Sequence, residues 1–75
     1  MKSVMIRLSF ADRVREFVSI VNHYPYEMDL RLGRYVVNAK SILGIFSMDL
    51  SKTLILQVFT NDCTALLDEI EQFLA

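Results

Sequence analysis

Apolar and polar residues alternate with two different periods along this chain, and each change of period marks an element boundary. Val4, Ile6 and Leu8 fall on one side of an extended segment, the period-two pattern of a half-buried strand. Ser9 stands three residues before Asp12, the spacing of a capping box, and predicts a helix start. Val14, Phe17, Val18 and Val21 then recur at i, i+3, i+4 and i+7, with Arg13, Arg15, Glu16 and Ser19 on the opposite side. Pro25 cannot continue a helix and pushes Tyr24 toward an extended conformation, so the helix is expected to end near Asn22 or His23. Residues 26–32 alternate apolar and charged side chains without a miss. Gly33-Arg34 supplies a turn and Tyr35-Val36-Val37 resumes strand-favouring residues, which predicts an antiparallel hairpin. Residues 41–48 are apolar on nearly every side and too short for an independent helix, so tertiary contacts must hold them. Leu54, Leu56 and Val58 alternate against Thr53, Ile55 and Gln57 in another strand, whose outer side is itself partly apolar and invites a cover. Asn61 and Asp62 are suitable caps for a last helix with a continuous stripe of Cys63, Leu66, Leu67, Ile70, Phe73 and Leu74.

The resulting order, β, α, β, β, short α, β, α, is α+β: four strands with helices on one face, expected as a single domain over residues 1–75. Composition supports a folded core, since 53% of residues are hydrophobic and 23% charged, too apolar for disorder. A net charge of -1 offers no field for phosphate backbones, so nucleic acid is not an expected partner. The halves differ, with residues 1–40 carrying seven basic and four acidic side chains and residues 41–75 one and five, which predicts a dipolar surface. Cys63 is alone, so neither an intramolecular disulfide nor a cysteine zinc site can form, which fits the cytoplasm. The opening stretch is interrupted by Arg7 and no run reaches 18 apolar residues; neither secretion nor a membrane span is expected. No Gly-rich phosphate loop, metal spacing or Ser-His-Asp set appears, so no cofactor, metal or enzymatic activity is expected.

From Tyr35 the chain reads Tyr-Val-Val-Asn-Ala-Lys-Ser-Ile-Leu-Gly-Ile-Phe-Ser-Met. This closely resembles the regulatory-serine segment of HPr, the histidine-containing phosphocarrier of bacterial phosphoenolpyruvate:sugar phosphotransferase systems. The resemblance extends to the order of elements and spans essentially the whole chain. It implies an HPr-like open-faced β-sandwich (βαββαβα), a four-stranded antiparallel sheet with three helices on one face. Carried back without a gap from Ser41, the family's His-Ala-Arg-Pro motif falls on Phe10-Ala11-Asp12-Arg13. Phosphoryl transfer needs an imidazole nucleophile and a compensating guanidinium; Phe10 supplies no lone pair, and Asp12 repels a phosphoryl group. The resemblance is therefore to a member without the catalytic histidine, similar in that respect to catabolite-repression HPr. Asp49 also replaces a usual Gly after the short helix, and the connection to the last strand is about two residues shorter than in most members.

By that resemblance Ser41 is the serine that a dedicated kinase phosphorylates. A phosphate there would meet free helix-start amides, with Lys40 beside it; the plainer role for Ser41 is that of an N-cap. Ile42, Leu43 and Phe46 match positions that help dock partner proteins, and a helix apolar all round cannot bury every side. His23 is the only histidine but lies about 20 Å along the helix from Phe10, so it reads as a C-terminal cap and not as a displaced acceptor. Arg13 and Arg15 read as an ordinary charged helix surface. Phe10 is either an exposed anchor or a hydrophobic staple folded inward. Tyr24, Tyr26 and Tyr35 read as half-buried sheet and edge residues and not as a stacking platform for bases. The expected function is an HPr-like regulatory or binding protein without His phosphocarrier activity, controlled through Ser41, with an HPr serine kinase and a transcriptional regulator as partners. The alternatives are a phosphocarrier using an atypical acceptor and a phosphate-independent interaction domain.

Overall fold

The alternating segments form strands β1 (Lys2–Ile6), β2 (Met28–Leu32), β3 (Tyr35–Asn38) and β4 (Leu54–Val58) in a computed structural model that describes all 75 residues. Helix α1 (Ala11–Val21) connects β1 to β2, α2 (Ile42–Phe46) connects β3 to β4, and α3 (Thr64–Glu69) follows β4, with a 3-10 turn over Glu71–Phe73 after it. The strands pair antiparallel throughout in the order β1-β4-β2-β3. β4 is thereby central although it is the last strand in the chain, and its Leu54, Leu56 and Val58 are fully buried as their alternation requires. They meet Ile6, Met28 and Leu30 from the sheet and Val14, Phe17 and Val21 from α1 in one apolar cluster, completed by Ile45, Leu66, Ile70 and Phe73. This is the open-faced α+β sandwich anticipated above. The turn at Gly33 takes φ +58, a conformation glycine enters without a Cβ clash.

Several local expectations give way to tertiary geometry. Ser9 does not cap α1: it takes φ 40, Phe10 occupies the N-cap position, and no side chain bonds the first amides. Asp12 pairs instead with Arg15 at 3.1 Å on the exposed side. Arg13 is not a plain solvent residue either. Its guanidinium donates to the Gln72 carbonyl at 2.7 Å and lies 4.5 Å above the Phe73 ring, so it clamps the C-terminal turn onto α1. The final helix is not continuous. It stops at Glu69, and the chain turns through Ile70 so that Phe73 enters the core and meets the Phe17 ring edge-on at 5.7 Å. The tail then runs along the outer edge of β1, where Arg7 N donates to Phe73 O and Ala75 N to Met5 O. These bonds satisfy part of an otherwise open sheet edge, and they leave Leu74 partly exposed instead of in the stripe. Asp62 does not cap α3 in the usual position; its carboxylate accepts from the amide and hydroxyl of Thr64, while Cys63 stands at the N-cap and is buried.

The end of α1 is tied to two other elements. Asn22, not His23, closes the helix, its side-chain amide donating to Val18 O at 2.8 Å. Tyr24 stacks on Tyr26 with ring centres 6.0 Å apart, and its hydroxyl donates to Glu69 Oε1 at 2.6 Å. That bond to a carboxylate, helped by desolvation and the carboxylate's charge, raises the Tyr24 hydroxyl from 10.0 to about 12. A raised value in the folded state means that the contribution to stability is fully present below about pH 10 and is lost as pH climbs through about 12. In an alkaline titration followed by phenolate absorbance, Tyr24 is expected to ionise at about 12, and Glu69→Gln is expected to bring it back toward the ordinary tyrosine value. Tyr35 is an edge residue, exposed on edge strand β3.

Candidate functional site

The candidate residues fall at two places on the helical face. α1 and α2 pack against each other, but the start of α2 sits beside the end of α1, where Asn22 donates to Lys40 O at 3.4 Å, so Phe10 and Ser41 lie toward opposite ends of α1. Phe10 is 71% exposed, which excludes the inward staple and leaves the aromatic ring in solvent at the position where the resemblance puts the phosphoryl acceptor. Asp12 projects two residues further on, its side chain 88% accessible. His23 lies at the opposite end of α1 and is also exposed, so the fold does not bring an imidazole to Phe10.

Ser41 is the N-cap of α2: its backbone is extended, and its Oγ accepts from Gly44 N at 3.1 Å. A Cβ on Gly44 would stand 3.3 Å from both Ser41 Oγ and Val37 Cβ, so the start of α2 is seated tightly on β3. Lys40 does not reach toward Ser41 as expected from adjacency. Its ammonium is half-buried and donates to the Tyr24 carbonyl at 2.6 Å, tying α2 to the end of α1 instead. Loss of the cap gives a direct prediction: Ser41→Ala is expected to cost about 1 kcal/mol in urea denaturation, whereas Ser41→Asp, another good cap, is expected to stay within a few tenths of the parent.

The short helix divides its apolar residues between core and surface. Ile45 is fully buried and Ile42 half-buried, while Leu43 is 81% and Phe46 41% exposed. The expected patch of Ile42, Leu43 and Phe46 thus rests chiefly on Leu43 and Phe46. After the helix, Met48 returns to the core and Asp49 accepts from the hydroxyl and amide of Ser51 at 2.6 and 3.1 Å. Those two bonds, with Lys52 nearby, hold the Asp49 carboxyl below its ordinary value, so it stays ionised at neutral pH. Arg7 donates to Ser51 O at 2.8 Å and pins this shortened connection to the end of β1. The sequence marks this connection by its length and by Asp49, and the Asp-x-Ser spacing of a local side-chain turn is the signal for what that carboxylate does.

The strand order, the three helices on one face and an open surface at two helix starts define the small α+β class of open-faced sandwiches. No protein-family model matches the sequence, and no curated protein does. Solved structures do. HPr-C-His from Thermoanaerobacter tengcongensis superposes with a TM-score of 0.80 at 24% identity, covering 96% of this chain and 89% of that one. A phosphocarrier protein HPr from Bacillus anthracis strain Ames superposes with a TM-score of 0.72 at 23% identity, covering 99% and 94% respectively. The chain is thus HPr-like in fold over its whole length. No helix is long and apolar enough to cross a membrane.

Proposed function

We propose that this chain is an HPr-like regulatory and binding protein related to the sugar phosphotransferase system, without His phosphocarrier activity. The observation that carries this reading is the exposed Phe10 at the acceptor position with Asp12 beside it. A phenyl ring cannot attack phosphorus, and a carboxylate opposes the charge that an arginine would neutralise. The remaining function is recognition by protein. Leu43 and Phe46 stand on an open surface, the kind of exposed apolar pair that protein partners cover. Control falls to Ser41, whose hydroxyl sits at the start of that same helix; an HPr serine kinase is the modifying partner and a transcriptional regulator the target. Phosphorylation would add about two negative charges within a turn of Leu43 and about a turn and a half from Phe46, enough to change which partner docks.

Intact mass after two separate incubations tests the reading. With an HPr serine kinase and ATP, the chain is expected to gain one phosphate, and Ser41→Ala to abolish the gain. With phosphoenolpyruvate and the general phosphotransferase enzyme, no gain is expected. A gain in the second reaction, lost in His23→Ala, would establish an atypical phosphocarrier instead, and no gain in either would leave a phosphate-independent interaction domain.

A further inference from the structure

The helices cover one face of the sheet, and the register fixes what the other face carries. Ile6, Leu30, Leu54 and Leu56 point to the core, so their neighbours along each strand point away. Met5 pairs with Ile55, Ile55 with Arg31, and Arg31 with Val36, forming one row across all four strands. The next row is Ser3, Gln57, Asp29 and Asn38. One step further Phe59 N donates to Glu27 O, and Met1 precedes the pair Lys2–Val58, which gives a third row of Met1, Phe59 and Glu27. Two apolar pairs, Met5 with Ile55 and Met1 with Phe59, therefore flank a polar row on β1 and β4. Met5 is 62% and Phe59 47% exposed. On β2 the same three rows carry Arg31, Asp29 and Glu27. None of these three has an ion-pair partner, because the only ion pair in the protein joins Arg15 and Asp12.

This pattern is self-complementary. A twofold axis laid across the strands through the middle row maps the first row of one sheet onto the third row of another. Met5 then faces Met1 of the second copy, Ile55 faces Phe59, and Arg31 faces Glu27. Asp29 lies at the axis beside its counterpart, flanked on both sides by an Arg31. Moving the axis by half a row sets Met5 over Ser3 and Ile55 over Gln57, burying apolar side chains against polar ones. Only the middle-row axis matches apolar with apolar and cation with anion together. We infer that the open face of the sheet is a homodimer interface, with two copies stacked sheet to sheet through Met5, Ile55 and Phe59 and held in register by Arg31 and Glu27. Four strands about 4.8 Å apart and five residues long span roughly 19 by 17 Å, less than the roughly 800 Å² per partner of standard interfaces. The dimer is accordingly weak and forms at high concentration. It leaves the α1 and α2 surface free, and so does not depend on the function proposed above.

Sedimentation velocity of the full chain over a concentration series tests this, with circular dichroism confirming that each exposed-site variant stays folded. The wild type is expected to move from monomer toward dimer between about 10 μM and about 1 mM. Arg31→Glu and Glu27→Arg, each of which sets like charges opposite one another, are expected to weaken association at least about tenfold. Mixing the two variants restores opposite charges at both contacts and is expected to recover a heterodimer. A sedimentation coefficient that stays monomeric to about 1 mM would overturn the proposal, and so would a mixture that associates no better than either variant alone.

Discussion

Phe73→Ala is expected to take away most of the stability of the domain. The ring is 1% exposed, meets Phe17 edge-on at 5.7 Å and carries the Arg13 guanidinium 4.5 Å above its centre. Truncating a buried phenylalanine costs about 3–5 kcal/mol in lost transfer energy and residual cavity. A domain of 75 residues has only about 4–11 kcal/mol to lose, at about 0.05–0.15 kcal/mol per residue. The substitution also loosens the tail that covers the β1 edge, because the ring that docks the turn on Phe17 and lies under Arg13 is what holds Phe73 O and Gln72 O in reach of Arg7 N and the Arg13 guanidinium. Urea denaturation is therefore expected to show a variant that is partly or wholly unfolded at 25 °C. Leu74→Ala, one residue along and partly exposed, is expected to cost less than about 1 kcal/mol. A Phe73→Ala protein with the parental midpoint would mean that the C-terminal turn does not seal the core.

The second large effect is a gain. Phe10→His combined with Asp12→Arg restores at the start of α1 the two groups that phosphoryl transfer requires. One is a ring nitrogen that forms the bond to phosphorus as the donor's bond breaks; the other is a cation that offsets the charge delivered. Because Phe10 already stands in solvent, the new imidazole is open to a phosphoryl donor. Incubation with phosphoenolpyruvate and the general enzyme is expected to leave the parent unlabelled and to bring the double variant toward one acid-labile phosphate per chain. Phe10→His alone, still facing Asp12, is expected to label several-fold more slowly. Failure of the folded double variant to label would show that an imidazole and a guanidinium at these positions are not sufficient for labelling by the general enzyme.

Much of this architecture was legible along the chain because it follows from periodicity. The alternation of residues 26–32 placed Met28 and Leu30 in the core, the i, i+3, i+4, i+7 pattern placed Val14, Phe17 and Val21 there, and Ser41 caps α2 as its position suggested. The readings that changed all concern side chains with long-range alternatives. Ser9 and Asp12 have capping-box spacing, yet the chain needs a left-handed residue at Ser9 to turn from β1 into α1, which takes the hydroxyl away from the helix. Lys40 is next to Ser41 in sequence but is drawn to the open carbonyl of Tyr24 at the end of α1. Arg13 sits on the nominally solvent side of its helix until the C-terminal turn folds over to meet it. The stripe from Cys63 to Leu74 has helical spacing, but backbone bonds at the β1 edge hold the tail extended, and the helix ends before Phe73.

By itself, the sequence determined the type and order of the elements and most of the core residues of each, because hydrophobic period is a local property. The tertiary structure alone decided the central place of β4, the seal made by Phe73 and Arg13, the partners of Lys40 and Tyr24, and the alignment of Met5, Ile55, Arg31 and Val36 in one row. Those features join residues far apart in the chain, and which of several available partners a flexible polar side chain takes is settled only when packing brings one of them within hydrogen-bond reach.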